Sequence, residues 1–254
     1  MHPLIALWCH PRSMSTAMER MMRARGDVTC FHEPFMYHYY LDEGRGRFPH
    51  FDPDPAHPRR YADICAMLLR KAESGPVFFK DMSYYVVPRV FSDMSMQNVL
   101  RNVFLVRDPR RSIASYYKLD PELSLEEVGL EALYLHAEHV AQRDGRWPLV
   151  LEAERVQADP ALAAEALFAA SGLPPANHAL NLDRAGMPDD WKRVADWHTE
   201  AVSNDAIRPA ETLPDADEVF EAVARKAPRL RAILDHHWPF YEKLRDKAEL
   251  LRRD

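Results

Sequence analysis

The sequence predicts an α/β fold, a sheet with helices on its faces. Three observations carry this expectation. Short apolar runs of strand length alternate with longer segments of helical periodicity. The first run, Leu4-Ile5-Ala6-Leu7-Trp8-Cys9, is continuously apolar, as a strand covered on both faces must be. No internal repeat or low-complexity tract breaks the alternation. With 254 residues and no shift in composition, a single domain over 1–254 is expected.

The elements follow in order. Leu4–Cys9 ends at His10-Pro11 and gives way to a helix from about Ser15 to Arg25. Met14, Met18, Met21 and Met22 share one face of it, and Glu19, Arg20 and Arg23 fall opposite. Thr16 and Glu19 have capping-box spacing, and Gly26 follows the end. Val28–Phe31 reads as a second strand. The stretch from Glu33 to Pro58 is rich in Pro, Gly, Asp and aromatics without clean periodicity, which predicts a long functional or mobile loop. Tyr61, Ile64, Cys65, Leu68 and Leu69 mark a helix face, and Pro76–Lys80 a third strand.

Asn102–Val106 is a further strand that runs into Arg107-Asp108-Pro109, where Asp108 is suited to cap a helix and Pro109 to open it. A helix from about Ser124 to Arg143, a strand Trp147–Leu151 and a helix ending near Gly172 come next. Leu173 to Pro214 is punctuated by prolines and carries weak helical signals. One or two helices close the chain, with Val219, Phe220, Val223, Leu230, Ile233 and Leu234 as their apolar stripe.

Composition narrows the function. The net charge of −6 gives no reason to expect nucleic acid or an anionic membrane surface as a partner, so an anion must be held by local placement of charge. Cys9, Cys30 and Cys65 are too few and scattered for a disulfide framework or zinc site. No segment reaches the roughly 20 apolar residues of a membrane span, and Leu4–Cys9 is too short for a secretory signal. A reducing, cytoplasmic location is the expectation.

Two segments suit anion binding. Cys9-His10-Pro11-Arg12-Ser13-Met14-Ser15-Thr16 joins a strand to a helix, where unpaired N–H groups and the helix dipole converge. Arg12 adds a charged fork, and Ser13, Ser15 and Thr16 add hydroxyls. The loop lacks the glycines and the lysine of a Walker A sequence. Read alone, it is equally a helix start with a solvated arginine. The second segment, Arg107-Asp108-Pro109-Arg110-Arg111-Ser112-Ile113-Ala114-Ser115-Tyr116-Tyr117, is again a strand-to-helix junction. Arg107 and Ser115 can reach one anionic group at the carboxyl edge of the sheet.

With P-R-S-M-S-T at positions 11–16 and R-D-P-R-R-S-I-A-S-Y-Y at 107–117, the chain resembles the sulfotransferases that use 3′-phosphoadenosine-5′-phosphosulfate (PAPS). A weaker likeness extends to Leu151-Glu152-Ala153-Glu154. The resemblance implies a three-layer, P-loop-like fold with a mostly parallel central sheet flanked by helices. It implies PAPS as co-substrate, 3′-phosphoadenosine-5′-phosphate (PAP) as product, and no metal. The 5′-phosphosulfate would lie against Arg12, Ser13, Met14, Ser15 and Thr16, and the 3′-phosphate against Arg107 and Ser115. Met14 stands where the family often has glycine, and Cys9 and His10 replace small residues, which narrows the room for backbone approach.

In-line transfer of a sulfuryl group needs stabilisation of charge on the leaving phosphate and a base for the acceptor proton. Arg12 and Lys80 are the cationic candidates; Lys80 closes the third strand, where the family often has a lysine, and is equally a surface residue. Glu33, in Phe31-His32-Glu33-Pro34-Phe35, is the candidate base, with aromatic neighbours expected to raise its pKa. His32 competes with it, because strand alternation should turn one of the two into the sheet. Asp81 adjoins Lys80 as a pairing candidate. Phe35 to Tyr40 with Tyr84-Tyr85 would line a pocket for a small acceptor, an aromatic, a sugar or a lipid headgroup, and Trp191, Lys192 and Trp197 would form a late flap. His236-His237 reads as a helix end rather than a metal pair. A homo-oligomer is compatible with all of this. Two alternatives stay open at this point: a module that binds PAP or PAPS without turnover, and a P-loop phosphotransferase using ATP.

Overall fold

A computed structural model describes residues 1–46, 48–49, 51–182, 188, 191, 207 and 214–248. Five strands form one sheet in the order β2-β3-β1-β4-β5: β1 Leu4–Cys9, β2 Thr29–His32, β3 Val77–Met82, β4 Leu100–Val106 and β5 Leu149–Glu152. All four pairings are parallel, with Leu7 opposite Lys80 on one side and Val103 on the other. Every residue of β1 and β3 is buried, which explains the unbroken apolar run of β1 and of Val77-Phe78-Phe79 in β3.

The described helices are α1 Ser15–Ala24, α2 Tyr61–Ser74, α3 Arg89–Ser92, α4 Met94–Gln97, α5 Pro109–Leu119, α6 Leu125–Val128, α7 Leu130–Asp144, α8 Ala153–Ala158, α9 Pro160–Ser171, α10 Ala216–Ala224 and α11 Arg229–Lys247. Helices α1 and α2 pack on the β1–β3 half, and α7, α9 and α11 on the β4–β5 half. The chain leaves β1 towards β2 and leaves β4 towards β5, so the connections diverge between β1 and β4. A crevice therefore opens at their carboxyl ends, where parallel sheets bind ligands. Among the described residues, no helix is long and apolar enough to cross a membrane.

The elements follow the sequence with four differences. The predicted helix from Ser124 to Arg143 is two helices, because Gly129 takes φ 76° between α6 and α7. The capping box belongs to α6, where Ser124 and Glu127 satisfy each other. At α1, Met14 occupies the cap position and Thr16 lies inside the helix, so the Thr16–Glu19 box does not form. The first part of the stretch after Glu33, to Asp42, is packed rather than open loop, and the described residues from 43 to 58 form no helix or strand, as expected. Phe35, Met36, Tyr37, Tyr39 and Tyr40 are buried around a π-helical turn at His38–Asp42.

His236 and His237 sit inside α11 rather than at a helix end. His236 pairs with Glu131 at 2.8 Å and His237 with the Leu125 carbonyl at 2.8 Å.

Candidate active site

Backbone conformation singles out the site before any side chain does. Among the described residues, three non-glycine residues have positive φ: Arg12 at 61°, Met14 at 75° and Glu33 at 43°. Left-handed backbone at a residue with a Cβ costs on the order of 1–2 kcal/mol, and such strain collects at functional sites. Two of these residues shape the loop after β1, and the third ends β2. Met14 thus adopts the backbone that a glycine would take without penalty.

The loop and the start of α5 are tied together. Arg12 Nε donates to Ser115 Oγ at 2.9 Å, and the Arg107 guanidinium donates to the Arg12 carbonyl at 2.9 Å. His10 is fully buried, and its Nε2 accepts the Arg107 backbone N–H at 3.1 Å. Burial, the Arg107 charge and His237 hold its pKa down at about 3, so it is a neutral acceptor. The imidazole that replaces a small residue in the loop thereby joins the ends of β1 and β4.

Asp108 caps α5, accepting the Arg110 N–H at 2.9 Å, with Pro109 in the first turn. Glu154, just past β5, lies 3.9 Å from Arg107 Nε, and burial raises its pKa.

Residues Arg12, Ser13, Met14, Ser15 and Thr16 therefore surround the N-terminus of α1, whose first N–H groups have no partner within the helix. The Ser13 hydroxyl is fully buried and has no hydrogen-bond partner among the described residues. A buried hydroxyl left in that state costs about 1–3 kcal/mol. An anionic oxygen in the loop would satisfy it. The arginines, the hydroxyls and the helix N-terminus fit one ligand class, a phosphate- or sulfate-bearing anion. Among the described residues, no three His, Cys, Asp or Glu groups come together as metal ligands.

The second half of the site lies at the ends of β2 and β3. Lys80 is buried inside β3, which extends to Met82, so it is not a surface lysine. Its ammonium contacts Glu33 Oε1. Burial disfavours both charges, but their mutual attraction prevails: the Lys80 pKa is raised and the Glu33 pKa lowered. This reverses the expected upward shift at Glu33, because the nearest group is a cation rather than an aromatic ring. Tyr85 Oη donates to Glu33 Oε2 at 3.4 Å.

Strand alternation does not choose between His32 and Glu33. The positive φ at Glu33 breaks the alternation, and both side chains are buried at the carboxyl edge. His32 Nδ1 lies 2.7 Å from Glu19 Oε2. Asp81 does not hydrogen-bond Lys80; it accepts the N–H groups of Phe35 at 2.8 Å and Met82 at 3.1 Å. Burial raises its pKa well above the usual carboxylate range.

Two sets of expectations need correction. Phe35, Tyr37, Tyr39, Tyr40, Tyr84 and Tyr85 do not line an open pocket. Tyr39, Tyr40, Tyr84 and Tyr85 are buried against one another, with Tyr39 and Tyr84 ring centres 5.1 Å apart, while Phe35 packs on Trp8 and Phe79 and Tyr37 on Phe51. Glu19 and Arg20, read as an outer face of α1, are buried. Glu19 accepts from Arg23 and from Trp191 Nε1, each at 2.8 Å, and Arg20 donates to the Leu182 carbonyl at 3.2 Å. Trp191 is itself fully buried, and Lys192 and Trp197 lie outside the described residues. From sequence, Glu19 is legible only as a capping-box candidate and His10 only as a replacement for a small residue, because their partners are remote in the chain. Glu154 was visible only as an acidic residue after a strand.

Comparison with known proteins places the fold and the family. No curated protein matches the sequence. The sulfotransferase domain from the Synechococcus PCC 7002 olefin synthase aligns with 88% of this chain and 95% of its own, at 18% identity and a TM-score of 0.50. The sulfotransferase domain from the curacin biosynthetic pathway aligns with 89% of this chain and 97% of its own, at 12% identity and a TM-score of 0.56. These likenesses establish the fold, a parallel sheet flanked by helices in the P-loop-like manner. The sequence itself matches the sulfotransferase domain over residues 3–247, and the chain belongs to that family.

Proposed function

We propose that this protein transfers a sulfuryl group from PAPS to a hydroxyl or amine of a small acceptor. The observation that carries the reading is the Arg12–Ser115 hydrogen bond. It brings the loop suited to a 5′-phosphosulfate and the helix suited to a 3′-phosphate to one crevice, as a donor with anions at both ends requires.

In this reading PAPS supplies the activated sulfur–oxygen bond. Arg12, with Ser13, Met14, Ser15 and Thr16, holds the phosphosulfate through side chains and the N–H groups opening α1. Arg107 and Ser115 grip the 3′-phosphate. Lys80 stabilises the charge that grows on the leaving phosphate, so that Arg12 and Lys80 share the electrostatic work. Glu33 is the base. Its depressed pKa keeps it ionised at neutral pH, and a shift of Lys80 towards the leaving phosphate would restore its basicity at the moment of transfer. Tyr85, donating to Glu33 Oε2 at 3.4 Å, orients the carboxylate.

The test is sulfuryl transfer from sulfur-labelled PAPS to a panel of phenols, sugars and amines, with Glu33→Gln and Lys80→Met alongside. Labelled product from the native protein and a loss on the order of 10²-fold or more in both variants are expected. PAP binding without label transfer to any acceptor or to water would leave a nucleotide-binding module instead.

A further inference from the structure

A second carboxylate and an imidazole stand behind Glu33, and its role as base does not use them. Glu19, on α1, is fully buried and faces donors only. Its Oε1 accepts from Trp191 Nε1 at 2.8 Å and from the Arg23 guanidinium at 2.8 and 2.7 Å. Its Oε2 faces His32 Nδ1 at 2.7 Å. A carboxylate so surrounded can only accept, so the proton of the neutral imidazole must be on Nδ1.

The other ring nitrogen, Nε2, then carries a lone pair, and it looks across 3.7 Å at Glu33 Oε1. Two acceptors that face each other hold no hydrogen bond at that distance. One added proton would give them something to share.

We propose that Glu19, His32 and Glu33 form a proton relay in which His32 Nε2 receives the acceptor proton from Glu33 and Glu19 stabilises the resulting imidazolium. The proposal rests on Glu33 as the base. In the step, the acceptor O–H or N–H bond breaks as its oxygen or nitrogen bonds to sulfur. The sulfur–oxygen bond to the donor phosphate breaks, and that electron pair leaves with PAP. The proton goes to Glu33 and then to Nε2, so Glu33 is again a carboxylate beside Lys80. Glu19 is a positioning residue, orienting the ring as the third member of a hydrolase triad does.

Arg23 and Glu19 face His32 from α1, Glu33 from the end of β2 and Lys80 from β3, with the Cys9 thiol and Asp81 beyond Lys80. Burial, together with the Lys80 and Arg23 charges, holds the resting imidazole neutral, and Glu33 opposes them, so Nε2 keeps a proton only while the two carboxylates face the ring.

The test begins with long-range 1H–15N correlation spectra of the histidine-labelled native protein near pH 7. A neutral His32 protonated on Nδ1 is expected, and a ring protonated on Nε2 would overturn the relay. Turnover is read as PAP release from PAPS with water as acceptor, in Glu19→Gln and, should that variant not fold, in His32→Gln. Each is expected to lose on the order of 10²-fold in kcat while keeping its PAP affinity. Wild-type kcat in either folded variant also overturns the relay. Glu33→Gln separates the two levels. If it turns over normally, the base assignment falls; if it is inactive while Glu19→Gln or His32→Gln runs at the wild-type rate, only the relay falls.

Discussion

Arg12 Nε and Ser115 Oγ, 103 positions apart in the chain, meet at 2.9 Å between the ends of β1 and β4. The contact is a product of topology. The parallel order places β4 beside β1, so two strand-to-helix junctions far apart in sequence open side by side. Arg107 reinforces the junction through the Arg12 carbonyl, and His10 through the Arg107 N–H.

The buried Glu33–Lys80 pair separates structural from chemical roles. Glu33→Ala leaves a buried ammonium without its partner, which costs on the order of 3–5 kcal/mol. Replacing both groups, as Glu33→Leu with Lys80→Met, should recover most of that stability and no turnover. Thermal denaturation of the three proteins, with PAP release from PAPS, checks this. A stable single variant would show that the pair is not coupled.

Acid should destabilise the fold early. Burial holds His10 and His136 at about 3 and His237 at about 4, so each takes up a proton in the unfolded chain before it does in the folded one. Their stability contribution is complete above about pH 6.5. It falls towards pH 3–4, by roughly 1.4 kcal/mol per pH unit for each histidine. Asp81 and Glu154, whose pKa values burial raises, act in the opposite sense and are outnumbered. The melting temperature should drop between pH 7 and pH 5, and His136→Gln should make that drop shallower. A melting temperature unchanged to pH 5 would contradict the burial of these rings.

Gly129 predicts a local steric effect. Its φ of 76° is left-handed, and a Cβ there would sit 2.9 Å from Tyr84 Cδ1 and 3.5 Å from His10 Cβ. Gly129→Ala should cost on the order of 1–3 kcal/mol, seen as a melting temperature several degrees lower. The new methyl meets His10 only at ordinary contact distance, so the cost falls on Tyr84 and on stability while PAP affinity should hold. Full stability in this variant would mean that the α6–α7 junction is not held as described.

What the sequence disclosed follows from the range of the interactions. Strands buried on both faces announce themselves as apolar runs, and Asp108-Pro109 is a start signal contained in two residues. Arg12, Arg107 and Ser115 were legible because each stands at a fixed offset from a strand end. Glu19 was not, since a charged residue on an amphipathic helix reads as solvent-facing until Arg23, His32 and Trp191 close on it. Lys80 looked like a strand terminus because its partner, Glu33, lies 47 residues earlier. The aromatic run after Glu33 has no period because its core packing is irregular, with Tyr39 against Tyr84 and Tyr40 against Phe48.

The central claim is that Arg12, Arg107 and Ser115 form one site for a doubly phosphorylated adenosine nucleotide. Calorimetric titration with PAP, using ATP with Mg²⁺ as comparator, tests it most directly in the native protein and in Arg107→Ala and Ser115→Ala. Loss of a charge-assisted hydrogen bond is worth about 1.5–3 kcal/mol, roughly ten- to a hundredfold in affinity. Micromolar or tighter PAP binding, much weaker ATP binding and a loss of that order in both variants are expected. Equal binding of ATP, or variants that bind PAP as the native protein does, would contradict the claim.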